Sequence, residues 1–151
     1  MNSSPIPVAG SPRPVAEAGV WADLNRVLST VLATTPEGPE ASIRCEALPL
    51  AQGSPGEWGC LLRALVELAF ALPSEERRRY IHIQCQEERD PAAGAPHFLL
   101  SMHVNVHPPA ASDSVLAAVT DHCGTLRARF SVQAHSNTHS LFQIHFAGKN
   151  H

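Results

Sequence analysis

The tetrapeptide Ser54-Pro55-Gly56-Glu57 constrains this chain more than any other stretch, because it leaves the backbone one way to continue. A serine hydroxyl at an N-cap accepts from an amide two or three residues on. Proline at the first helical position loses no needed donor, and a glutamate three residues after the cap completes a capping box. Trp58, Leu61, Leu62, Leu65, Leu68, Ala69 and Leu72 then recur at helical spacing as a broad apolar face, and Pro73 ends the run. The spacing predicts the central core helix of the domain.

Other elements follow from period and punctuation. Asp23 can cap a first helix carrying Leu24, Val27, Leu28, Val31 and Leu32, closed by Pro36. Residues 41–48 alternate as a half-buried strand, and 49–53 are expected as a loop. After the charged connection 74–79, Tyr80 to Gln86 sets Ile81, Ile83 and Cys85 against His82 and Gln84. Residues 87–96 have the turn residues of a hairpin connection, and Phe98 to Val106 forms its partner strand, stopped by Pro108-Pro109. Ser112 can cap a short third helix with Gly124 as its left-handed C-terminal cap. Two final strands, 125–132 and 140–146, are joined by the polar loop 133–139. The order gives an α+β fold: a two-layer sandwich with an about five-stranded mixed, mainly antiparallel sheet and three helices on one face. Four of the thirteen prolines fall in the first fourteen residues, so residues 1–19 are expected as a flexible Pro-rich tail and residues 20–148 as the domain.

Composition narrows the function. A chain of 151 residues, 44% hydrophobic and 17% charged, carries the apolar matter for one core. A formal net charge of −3 argues against a protein that neutralises many phosphates, so no nucleic-acid partner is expected. No stretch approaches the roughly 18 apolar residues of a membrane span, and the start has no secretory leader pattern, so no membrane partner and a cytoplasmic location are expected. Cys45, Cys60, Cys85 and Cys123 form no C-x-x-C pair and are expected as buried free thiols. His103/His107 and His135/His139 are spaced by four, but on a strand end and in a loop, where that spacing does not aim two rings at one metal. No nucleophile turn of the G-x-S-x-G kind is present.

Several stretches, in order, resemble the catalytic ATP-binding domain of sensor histidine kinases, a member of the GHKL ATPase superfamily. Asp23-Leu24-Asn25-Arg26-Val27-Leu28 is similar to its aspartate-leucine opening, and Leu48-Pro49-Leu50-Ala51-Gln52-Gly53-Ser54 to the approach to its nucleotide-binding helix. His122-Cys123-Gly124-Thr125-Leu126 resembles the histidine-glycine-glycine turn after the last helix, and Ser140-Leu141-Phe142-Gln143-Ile144 the closing strand. The resemblance implies asparagines four apart on the central helix to hold magnesium, a hard cation that takes oxygen ligands. Ala64 and Leu68 stand there, with Glu67 the nearby oxygen donor. Where the family has its aspartate-x-glycine-x-glycine motif the chain has Asn105-Val106-His107-Pro108-Pro109, and only five residues separate Val106 from Ser112, too few for the family's lid. His139 stands where a glycine precedes the closing strand.

These departures lead to the expectation of a degenerate domain: not an enzyme, with no cofactor and no metal. Its role would be to bind a response regulator, a sigma factor or another signalling or transcription protein. The alternative is a stand-alone nucleotide-binding switch of the anti-sigma type. With Ile43, Ile81, Met102, Phe130 and Ile144 turned to the helices, the period of two sends Arg44, Glu46, His82, Gln84, His103, Asn105, Arg127, Arg129, Gln143 and His145 to the opposite face. Arg44, His82, His103, Arg127, Arg129, Gln143 and His145 are the candidate partner-binding residues.

Overall fold

The computed structural model describes residues 20–35, 41–88, 96–110 and 114–150. The expected tail, the closing Pro36, most of the loop before Pro96 and the capping Ser112 lie outside them. The element order is β1 (Trp21–Asp23), α1 (Leu24–Ala33), β2 (Ser42–Cys45), β3 (Leu50–Gln52), α2 (Pro55–Ala71), β4 (Tyr80–Glu88), β5 (His97–Val104), α3 (Ser114–Thr125), β6 (Arg129–Ser136) and β7 (His139–Lys149). The expected α+β sandwich with three helices is what the chain forms, but the sheet has seven strands, not five.

The two added strands, β1 and β3, are three residues each and pair with one another. β3 also pairs with the end of β7, through Ala51↔Gly148 and Leu50↔Lys149. Three residues carry no readable period, and what makes them strands is the free edge of β7 beyond the end of β6. Gly148 is essential there: a Cβ would come within 2.5 Å of the Leu50 carbonyl oxygen and 3.0 Å of the Phe98 ring. The path runs β1-β3-β7-β5-β4-β2, with β6 also on β7. Every pairing is antiparallel except β2 with β4.

The helix caps work as the sequence dictates. The Asp23 side chain accepts from the Asn25 amide at 3.1 Å, and the Ser54 hydroxyl accepts from the Glu57 amide at 3.1 Å. Asn25 also clamps α1 to the segment before β3, its amide donating to the Leu48 carbonyl at 2.9 Å and its carbonyl oxygen accepting from the Leu48 amide at 2.8 Å. Trp58, Leu61, Leu62, Leu65, Leu68, Ala69 and Leu72 are all buried, together with Leu28 and Val31 of α1 and Val119 of α3. On the sheet they meet Ile81, Ile83, Phe98, Leu100, Met102, Val104, Phe142, Ile144 and Phe146, which alternate along their strands and so define the covered face. The Trp58 indole donates to the Gln52 carbonyl at 2.9 Å and meets the edge of Phe146 at 5.1 Å, fixing α2 over β3 and β7.

The last helix ends differently from expectation. Gly124 is helical, and the left-handed position falls on Arg127, φ +57°. The Ala128 amide donates to the Cys123 carbonyl at 2.8 Å and the Arg127 amide to the Gly124 carbonyl at 3.2 Å, the paired bonds of a Schellman motif. The final hairpin is correspondingly displaced: β6 starts at Arg129, and its turn is Asn137-Thr138 instead of a loop from 133 to 139. The cysteines also depart from expectation, since Cys123 is buried and Cys85 half-buried but Cys45 and Cys60 are exposed.

Candidate functional site

The face of the sheet turned away from the helices is crossed by rows of side chains that the strand register sets side by side. One row is Arg44, His82, His103, Leu141 and Gln133, from β2 through β4, β5 and β7 to β6. The next is Gln84, Ser101, Gln143 and Ser131, and the third is Gln86, Leu99, His145 and Arg129. His97 and His139 belong to this face by the same alternation, and His135 joins it by stacking on His103 with ring centroids 5.6 Å apart. Six of the nine histidines of the chain therefore share one face.

Their partners differ. Glu46 holds His82 at 2.9 Å and Glu88 holds His145 at 3.0 Å, and both pairs are partly exposed, so they position the rings more than they stabilise the fold. His103 lies between His82, at 6.1 Å, and His135, with no carboxylate bound to it among the described residues. Burial, then the neighbouring His135, then His82 hold its pKa below the ordinary histidine value. Gln143 donates to the Ser101 hydroxyl at 3.4 Å and accepts from the Gln133 amide at 3.2 Å. The Arg44 and Arg129 side chains are exposed and make no hydrogen bond or ion pair among the described residues.

Five of the expected contact residues besides Arg44 are thus placed on one face: His82, His103, Arg129, Gln143 and His145. Arg127 is not. It caps α3 in the left-handed turn before β6, and beside it lie Gly53, Ser54 and Glu57 at the start of α2. Asn105 is a second correction, because it is 3% exposed and its amide is spent on the backbone of Tyr80 and Arg78, at 2.8 and 2.9 Å. Two features of the face carry no sequence signal: the histidine stack, which needs three strands in register, and a cavity of about 390 Å³ at the Arg44 end, between Tyr80, His82, His103 and His139.

Burial pushes the Cys85 thiol up to about 12, helped by Cys45 against a backbone hydrogen bond from Gln86, and burial alone takes Cys123 to about 11. Neither supplies a thiolate at neutral pH. On α2, Ala64 and Leu68 face the core and Glu67 faces solvent. No helix among the described residues is long and apolar enough to cross a membrane.

No protein-family model and no curated protein matches the chain. Among solved structures it is similar to the catalytic domain of histidine kinase ThkA, with 10% identity over 85% of this chain and 95% of that one, at a TM-score of 0.65. It is similar to the mycobacterial sensor histidine kinase MprB, with 12% identity over 87% and 98% and a TM-score of 0.64. For the Acinetobacter baumannii histidine kinase AdeS the identity is 15% over 86% and 67%, with a TM-score of 0.61. The expectation that the chain is not an enzyme is overturned here, because the solved structures that share its architecture are histidine kinases and include the catalytic domain of one. The fold of this chain is that of the catalytic ATP-binding domain of histidine kinases.

Proposed function

We propose that this kinase-like domain acts in signal transduction or transcription control by docking a protein partner, a response regulator, a sigma factor or another signalling protein, on the helix-free face of its sheet. One observation supports the reading above the rest: Arg44, Arg129 and six histidines are gathered on a face that no helix among the described residues covers. Arginine suits an interface because its planar fork of donors engages carboxylates bidentately, and histidine adds positive charge as pH falls toward 6. The partner surface that fits is acidic, and binding strengthens between pH 7.5 and 6.

The test is parallel affinity capture with the native chain and an Arg44→Glu/Arg129→Glu variant, followed by pairwise titration of each captured protein after purification. A true partner binds the native chain more tightly at pH 6 than at pH 7.5 and loses at least tenfold in affinity to the double variant. Arg127→Glu, off the face, leaves its affinity unchanged. A purified binder that holds both variants equally places the interface elsewhere.

A further inference from the structure

We propose that the cavity at the Arg44 end of the helix-free face binds a single oxyanion group, a carboxylate or a phosphate, carried by a side chain of the docking partner. The inference rests on the docking reading above and locates its anchor. Arg44 brings a guanidinium whose five donors are uncommitted among the described residues, at the edge of a cavity of about 390 Å³. His82, His103 and His139 reach the same cavity from three different strands, β4, β5 and β7; His103 has no carboxylate partner among the described residues, whereas the Nε2 of His82 is engaged by Glu46. The volume exceeds what a bare anion needs, and the half-exposed Tyr80 supplies apolar wall for the aliphatic or aromatic stem that carries it.

Charge around the cavity favours an anion. Of the two carboxylates nearby, Glu46 is engaged by His82 at 2.9 Å, and Glu76, on the rim before β4, is exposed and screened by water. Arg129, the other arginine of the face, stands two rows away opposite His145 and does not line the cavity. Protonation of the three imidazoles strengthens the site. His82 is faced by Arg44 and Glu46 from the β2 side and by His103 from β5; His103 is faced by His82 and, from β6, by His135. His139 shares its Nδ1 with the Thr138 hydroxyl at 3.0 Å. Burial, then His135 and His82, resist the charging of His103, and an anion beside it favours the charged ring, so binding tightens as pH falls.

The experiment is a titration of the full chain, with histidine side-chain NMR signals resolved, against inorganic phosphate and separately against acetate, at pH 7.5 and 6. At least one probe is expected to shift His82, His103 and His139, more strongly at pH 6. Arg44→Gln is expected to weaken that binding about tenfold, the loss of one charge-assisted hydrogen bond. Arg44→Lys restores part of it, and Arg129→Gln changes nothing. Tighter phosphate binding assigns a phosphorylated side chain, and equal or tighter acetate binding an Asp or Glu. Shifts that are absent for both probes, or that persist unchanged in Arg44→Gln, overturn the proposal. If neither probe binds while a purified partner still loses affinity to Arg44→Glu/Arg129→Glu, the pocket is refuted and the docking surface stands.

Discussion

At the residue scale, Asn105 closes the end of β5 with three hydrogen bonds. Its side-chain oxygen accepts from the Tyr80 amide at 2.8 Å, its amide donates to the Arg78 carbonyl at 2.9 Å, and its own carbonyl accepts from the Ser74 hydroxyl at 2.6 Å. Truncation leaves a part-buried donor and acceptor without their partner, so Asn105→Ala is expected to cost about 1 kcal/mol, read from the denaturation midpoint at constant m-value. His103 makes a prediction of the opposite kind. Its pKa is lowered on folding, so the unfolded chain binds its proton more tightly. The stability this represents is fully present above the unfolded value of about 6.5 and is lost as pH falls through the lower folded value. Between pH 7.5 and 5 the thermal midpoint of the native chain is expected to fall more steeply than that of His103→Gln. Equal slopes show that the ring is not held neutral. Both features depend on tertiary neighbours: the period of two places Asn105 and His103 on the same face, and only the connection before β4 decides that one of them is sealed.

At the scale of elements, the caps of α1 and α2 are legible because a cap is a local event: Asp23 and Ser54 each satisfy an amide two or three residues on. The end of α3 is not legible in the same way. Glycine is the usual residue for a left-handed cap, and Gly124 is available, but stopping there would pull Ala128 out of its buried place beside Cys123. The chain instead continues one turn and puts Arg127 in the left-handed conformation, at a cost of about 1–2 kcal/mol for a residue with a Cβ. Arg127→Gly removes that strain and adds back some unfolded-chain entropy, so a net stabilisation of about 0.5–1 kcal/mol is expected in chemical denaturation. Destabilisation would mean that the arginine side chain itself holds the turn. The three-residue strands β1 and β3 follow the same logic, since their pairing is drawn from the edge of β7 and not from their own pattern.

For the whole molecule, β7 is the organising strand: it pairs with β5 on one side and with β6 and then β3 on the other. β2, by contrast, is a four-residue parallel edge with three of its residues exposed. Native-state hydrogen exchange is expected to give the amides of β5 and the centre of β7 protection close to that of global unfolding, and those of β2 the weakest among the strands. Since Arg44 sits on β2, slowed exchange there when an oxyanion or a partner is present is the expected mark of an occupied cavity.

What the chain determined by itself is whatever rests on neighbours within a few residues: the capping box and apolar stripe of α2, the alternation of β4, β5 and β7, and hence the α+β class with its helices on one face. Which histidines meet was decided by the tertiary structure, because His82, His103 and His135 lie on three strands whose register depends on hydrogen bonds between segments as far apart as β4 and β7. The same holds for the added strands β1 and β3, for the burial of Asn105 and for the removal of Arg127 from the face. The physical reason is one of range: capping and amphipathic period act over one or two turns, whereas an edge to pair with, a neighbour that seals a polar group, and the repulsion among stacked imidazoles exist only once distant strands lie side by side.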